Sequence, residues 1–219
     1  MPDISKINNV AVADISKLDS ITFANGQKVN NQSVSLITDS HTLIATATAS
    51  SSATLAFTSG IDSTYDAYEF RFTNIHPASD NVDFSFQVNA TDGADYNDSA
   101  ITSTHFAAYH HETNTVTNLH YDTDVDQAQG TAYQVLARYF GNVSDESGGG
   151  VLTLYAPSST TYVKHFTSRV GVLTQNQYFH DRHVAGYIND TTAIDNISFK
   201  FSSGNIDAGV IKMYGIAKA

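Results

Sequence analysis

Cysteine is absent from this chain of 219 residues, and basic side chains are scarce. Without cysteine the chain can form no disulfide, no thiolate zinc site, no iron–sulfur centre and no thiol nucleophile. The 11 Lys and Arg against 22 Asp and Glu give a net charge of −11, which repels phosphate backbones. No basic stripe with interleaved aromatic residues offsets that repulsion, so we expect no nucleic-acid partner.

Long hydrophobic runs are also missing. No apolar stretch approaches the roughly 18 residues that a membrane-spanning helix needs, so we expect no membrane insertion. The opening residues, 1–6, lack the hydrophobic segment that is typical of a secretory signal. We therefore expect synthesis in the cytoplasm without secretory export.

Hydroxyl, amide and aromatic side chains dominate the composition instead. The chain has 23 Ser, 24 Thr and 16 Asn, together with 12 Tyr and 12 Phe. Such residues favour half-buried strands and their turns over helices. The composition therefore predicts an all-β protein.

Apolar residues alternate with polar ones along much of the chain from residue 41 onward. The clearest cases are Tyr68–Phe72, Val82–Val88 and Ile197–Phe201, which predict strands buried on one side. The predicted strands lie at 42–48, 53–57, 68–72, 82–88, 104–110, 131–140, 151–156, 161–174, 182–188, 197–201 and 209–217. Many short strands without helical segments predict an antiparallel β-sandwich, jelly-roll-like, with a closed barrel as the alternative. The glycines at 148–150 are interpreted as a flexible loop.

Residues 1–40 contain an internal repeat. Ile4–Val12 recurs as Ile15–Phe23, and two copies are too few for a self-supporting solenoid. We expect an N-terminal extended arm at 1–40 that serves anchoring or assembly through Ile4, Val10, Ile15 and Ile21, followed by the sandwich domain at 41–219. The alternative is a pair of ordinary edge strands of the main domain.

Catalytic signatures are missing from the sequence. It contains no G-x-S-x-G elbow, no H-E-x-x-H, no phosphate-binding G-x-x-x-x-G-K and no dinucleotide-binding G-x-G-x-x-G. Paired carboxylates could serve glycoside cleavage, but none of the 22 acidic residues is distinguished as such a pair. We therefore expect a protein that is not an enzyme.

Three alternating carboxylates form the best candidate for a metal site. Asp122, Asp124 and Asp126 could share a hard cation such as calcium, because oxygen ligands suit that ion. The segment departs from the EF-hand pattern, which has Gly at its sixth position and Glu at its twelfth, where this chain has Gln127 and Tyr133. Calcium is thus the one cofactor that the sequence suggests, and the alternative is a solvated acidic loop that binds no ion.

An aromatic and histidine-rich stretch raises a second kind of site. Tyr109, His110, His111 and Tyr121 could stack on the faces of sugar rings and hydrogen-bond their hydroxyls. Cross-strand aromatic pairs that stabilise the sheet explain the same residues without a ligand. The sequence is compatible with both interpretations of this stretch.

Two segments at the ends of the chain resemble a known family. The opening repeat and the closing Phe201–Ile216, two strands around a Ser-Gly-Asn turn, are similar to segments in virion structural proteins of tailed bacteriophages. Those proteins are of the tail fibre, appendage or head-decoration type. The resemblance implies a β-rich, oligomeric, non-enzymatic protein on the exterior of the particle.

These observations together predict a function. We expect a virion surface protein, made in the host cytoplasm, whose arm binds capsid or tail components and whose sandwich is displayed, as a homo-oligomer and specifically a trimer. One alternative is a carbohydrate-binding module that recognises a glycan on the host surface. Another is an enzyme that degrades surface polysaccharide.

Overall fold

A computed structural model describes residues 41–91, 95–96 and 99–217, together with the backbone of four two-residue strands nearer the N-terminus. The chain divides into two compact units, Met1–Asp39 and Ser40–Ala219. In the part of the chain that is described, no helix has the length and apolar character needed to cross a membrane.

The first unit is described only through its short strands. These are β1 (Lys6–Ile7), β2 (Val10–Ala11), β3 (Lys28–Val29) and β4 (Gln32–Ser33). Strand β1 pairs with β2 and β3 pairs with β4, both antiparallel. Ile4, Ile15 and Ile21 lie outside the described residues, and of Val10 only the backbone pairing is described. The arm at 1–40 and its assembly contacts therefore stay a prediction.

The second unit is composed of β-strands joined by turns and loops. In chain order they are β5 (His41–Thr48), β6 (Leu55–Phe57), β7 (Ala67–Pro77), β8 (Val82–Ala90), β9 (Ile101–His111), β10 (Thr117–Tyr121), β11 (Ala128–Gly130), β12 (Gln134–Phe140), β13 (Gly148–Tyr155), β14 (Lys164–Leu173), β15 (Tyr178–Ile188), β16 (Ile194–Phe201) and β17 (Ile206–Ile216).

Two antiparallel sheets share these strands. The larger sheet has the order β10-β9-β15-β14-β13-β7-β17-β5, with β11 also pairing with β9, and the smaller has the order β12-β8-β16-β6. Burial alternates along β14, as expected for a strand with one face on a core. The all-β fold and the antiparallel β-sandwich predicted from the sequence are confirmed.

Phenylalanine fills the space between the two sheets. The ring of Phe199 on β16 is fully buried, and it lies within 6.5 Å of rings from both sheets. Its neighbours are Phe57, Phe70, Phe72, Phe84 and Phe86. Tilted and edge-to-face aromatic contacts add to the free energy gained by burying so much apolar surface.

Three details of the fold differ from the prediction. Strands β10 and β11 were not predicted, because both are short and largely exposed and so lack a buried apolar stripe. The glycines at 148–150 are not a flexible loop, since they begin β13. A Cβ atom on Gly148 would overlap the ring of Phe140, so glycine lets the strand pass close to the core.

Candidate functional site

An open pocket of about 440 Å³ lies in the second unit, where β9, β10 and β15 of the larger sheet approach β12 of the smaller one. This volume falls within the range of small-molecule sites, about 300–1,000 Å³. Its lining is aromatic and amide-rich: Asn81, Tyr109, Val116, His120, Tyr139, Thr174, Gln175, Asn176, Tyr178 and His180.

Cross-strand pairing places the aromatic wall of the pocket. Tyr109 on β9 lies directly opposite His180 on β15, and directly opposed side chains point to the same face of a sheet. The two rings stack, with centroids 4.9 Å apart and an interplanar angle of 16°. Tyr178 meets Tyr109 edge-on at 5.7 Å, so a tyrosine pair and an imidazole form one continuous surface.

A bulge in β12 supplies the facing aromatic ring, that of Tyr139. The pairing of β12 with β8 shifts register between Ala137 and Phe140, and Tyr139 within that interval has a φ of 65°. Its backbone N–H donates a hydrogen bond of 3.1 Å to Oδ1 of Asp83. Bulges re-aim side chains next to functional sites, and here the bulge places Tyr139 on the pocket.

A buried ion cluster lies behind the pocket wall. Arg182, whose side chain is fully buried, donates to Oδ2 of Asp122 at 2.7 Å. Arg138 donates to Oδ1 of the same carboxylate at 3.0 Å. The guanidinium of Arg138 also lies 4.5 Å from the ring centre of Tyr139. A buried carboxylate shared by two arginines holds strands β12 and β15 together at this point.

Burial and the neighbouring arginines shift the pKa values of the two carboxyl groups in the cluster. Burial alone would raise the pKa of Asp122, but the hydrogen bond from Arg182 and the charge of Arg138 outweigh it and hold that pKa below the usual value. Asp122 is therefore ionised at neutral pH. Burial raises the pKa of Asp83, even though the N–H of Tyr139 and the charge of Arg138 oppose the rise.

Two histidines beside the cluster are kept neutral. Burial, reinforced by the charge of Arg182, lowers the pKa of His180 to about 4. The same two causes lower the pKa of His105 to about 4. Both imidazoles are uncharged at neutral pH, so His180 presents a neutral ring to the pocket.

The structure does not bring the three predicted calcium ligands together. Asp122 is buried against Arg138 and Arg182, the side chain of Asp124 is 76% exposed, and Asp126 accepts a hydrogen bond from the hydroxyl of Tyr121. Two guanidinium groups already neutralise the one carboxylate of the three that is buried. Over residues 41–217, in so far as they are described, no cluster of three or more His, Asp or Glu is suited to a metal ion.

The predicted glycan residues are divided between the two faces of the sheet. Tyr109 lines the pocket, and the ring of His111 lies 4.5 Å from that of Tyr178, a pocket residue. His110 comes between them on β9 and therefore points to the opposite face, as strand alternation requires. Tyr121 lies opposite Phe106, which shares the face of His110. Of the predicted set, Tyr109 thus lines the pocket, and His111 only contacts one of its lining residues.

Sequence reasoning missed most of the pocket lining. Tyr178 and His180 come from β15, Gln175 and Asn176 from the loop before it, and Tyr139 from β12. The pairing of β9 with β15 joins segments about 70 residues apart, which no local pattern reveals. Tyr178 and His180 lie between the predicted strands at 161–174 and 182–188, so the sequence did not place them on a strand, whereas β15 begins at Tyr178.

Comparison with known proteins gives no match. No family model matches the chain, and no curated protein and no solved structure is significantly similar to it.

Proposed function

We propose that this protein is a non-enzymatic, glycan-binding β-sandwich displayed on the surface of a tailed-bacteriophage particle. The observation that carries the proposal is the pocket in which Tyr109, Tyr139 and Tyr178 converge with amide side chains. The virion setting is supported by the resemblance of the opening repeat and of Phe201–Ile216 to phage structural proteins.

The chemistry of the lining favours a sugar. A pyranose ring presents a face of C–H groups, which packs on aromatic rings, and a rim of hydroxyls that both donate and accept hydrogen bonds. The side chains of Asn81, Gln175 and Asn176 each offer a carbonyl oxygen and an NH₂ group, which match such a rim. Tyrosine adds a rigid apolar surface with a polar tip.

The carboxylates near the pocket favour binding over hydrolysis. Glycosidases use two free carboxyl groups on either side of the scissile bond. Among the described residues, the lining includes no Asp or Glu. The two carboxylates just behind it, Asp83 and Asp122, face Arg138 and Arg182 instead of the pocket. The arginines hold the pKa of Asp122 below its usual value, which makes that group a poor proton donor, and among the described residues Asp83 has no second free carboxylate as a partner.

A glycan array probed with the full chain tests the binding function. We expect binding to a restricted set of glycans, and loss of that binding on the substitution Tyr139→Ala, which removes one aromatic wall. The matched control is Tyr162→Ala, because Tyr162 is 74% exposed and does not line the pocket. Binding that survives Tyr139→Ala would contradict the assignment of this pocket, and an equal loss in Tyr162→Ala would show that the effect is not specific to it.

Incorporation into particles tests the virion setting. Deleting residues 1–40 should abolish incorporation into phage particles while leaving a folded sandwich, and a labelled antibody should detect the full-length protein on intact particles. Normal occupancy by the shortened protein would contradict anchoring by the arm. Mass measurement in solution tests the proposed trimer.

A further inference from the structure

His180 is held in one tautomer by its neighbour on the same strand. Nη2 of Arg182 lies 2.9 Å from Nδ1 of His180. A guanidinium has only donors, so Nδ1 of the imidazole must be the acceptor in this bond. The proton of the neutral ring then resides on Nε2.

The guanidinium of Arg182 cannot readily turn away from this bond. Its side chain is fully buried, and Nη1 is occupied by the carboxylate of Asp122 at 2.7 Å. Asp122 is itself held by Arg138 through its other oxygen. Burial and the adjacent positive charge lower the pKa of His180 to about 4, so the ring does not become an imidazolium near neutral pH.

Nε2 of His180 is the ring atom left for a ligand. His180 lines the pocket although only 7% of its surface is exposed, and among the described residues no side chain or backbone group forms a hydrogen bond with Nε2. The stacked ring of Tyr109 at 4.9 Å fixes the plane of the imidazole. The pocket therefore presents an N–H donor of fixed direction beside an aromatic surface.

The charge around the pocket selects against anions. Its described lining contains no Lys, Arg, Asp or Glu, and Arg138 and Arg182 behind it are matched by Asp83 and Asp122. The chain as a whole carries −11, and residues 60–146 hold 14 of its 22 acidic side chains. The net negative charge of the protein repels an acidic sugar at long range, and the described lining of the pocket offers no positive side chain to offset that repulsion.

We propose that the pocket takes an uncharged sugar, one of whose oxygens accepts a hydrogen bond from Nε2–H of His180, and that Arg182 is the positioning residue that fixes this tautomer. The inference rests on the proposed glycan-binding function and names the class of ligand and the atom that recognises it.

Nitrogen NMR of the full chain tests the tautomer without any ligand. At neutral pH the ¹⁵N shifts of His180 should show a protonated Nε2 and an unprotonated Nδ1. The substitution Arg182→Met should remove that preference, a change that loss of packing alone would not produce. A protonated Nδ1, or an imidazolium, in the wild-type protein would overturn the positioning role of Arg182 and leave the proposed glycan binding standing.

Two substitutions of His180 test the donor in binding. The probes are methyl glucoside, methyl galactoside and methyl mannoside, with N-acetylneuraminic acid as the anionic comparison, titrated by NMR up to their solubility limits. His180→Phe keeps a stacking ring without the donor and should weaken binding of the best methyl glycoside about fivefold to tenfold, the worth of one hydrogen bond. His180→Gln keeps an N–H at the same reach and should bind more tightly than His180→Phe.

A matched control substitution distinguishes an effect on binding at the pocket from one on the opposite face of the sheet. His110→Phe makes the same change on the opposite face of the sheet, away from the pocket, and should leave affinity unchanged. Equal or tighter binding of N-acetylneuraminic acid would overturn the uncharged ligand class. Failure of every methyl glycoside to bind the wild-type chain, with the tautomer as expected, would overturn glycan binding itself.

Discussion

Removal of the carboxylate of Asp122 is the perturbation with the most sharply defined consequence. This group faces both Arg138 and Arg182, and the side chain of Arg182 has no exposed surface. In Asp122→Asn the shape of the side chain is nearly kept, but a fully buried guanidinium loses its counter-charge. The loss of one partner from a buried ion pair typically costs about 3–5 kcal/mol of the free energy of unfolding.

That cost is large enough to measure by two methods. In a domain of this size each 1 kcal/mol lowers the melting temperature by about 2–4 °C, so we expect a fall of about 6–20 °C. Urea denaturation should show the same loss through a lower midpoint with an unchanged slope.

The exposed pair of Arg169 and Asp181 provides the control. Its guanidinium and carboxylate are 2.8 Å apart, but the side chain of Arg169 is 67% exposed. Asp181→Asn should therefore change the free energy of unfolding by no more than about 1 kcal/mol. If Asp122→Asn costs as little as Asp181→Asn, the account of a buried charge cluster behind the pocket is wrong.

Three further predictions concern the stability of the sandwich. His105 and His180 have pKa values of about 4 in the folded protein and about 6.5 in the unfolded chain, so unfolding takes up protons between these pH values. The free energy of unfolding measured by urea denaturation should therefore be highest above about pH 6.5 and decline as the pH falls toward about 4. A free energy of unfolding that does not change over this pH range would contradict the prediction. Phe199→Ala should cost about 3–5 kcal/mol in the same assay, since it opens a cavity among five rings. Gly148→Ala should cost about 1–3 kcal/mol, because the added Cβ meets the ring of Phe140; an unchanged midpoint would show that Phe140 can move aside.

The strands could be predicted because their signal is local. In β8 and β16 the phenylalanines at 84, 86, 199 and 201 recur at every second position, as a strand with one face on a core requires. Strand β10 carries no such stripe, since it lies at the edge of its sheet with its side chains largely exposed, and it was missed. No local sequence pattern indicates the order of the strands in the two sheets.

The pocket depends on pairings that the sequence does not display. Tyr109 was singled out by the local density of aromatic residues, but its stacking partner His180 is 71 positions later in the chain. Tyr139 reaches the pocket only through a bulge, which reverses the side that simple alternation would assign. The sequence predicts Asp122 as a calcium ligand because nothing local indicates that Arg138 and Arg182, both distant in sequence, lie beside it.

A crystal structure of the full chain with the uncharged sugar that binds best is the most direct test of the central claim, that the aromatic pocket is a glycan site. We predict the sugar ring packed against Tyr109 or Tyr139, with one of its oxygens within hydrogen-bond distance of Nε2 of His180. A sugar bound on the opposite face of the sheet, beside Phe106 and Tyr121, with the pocket free of it, would contradict the claim.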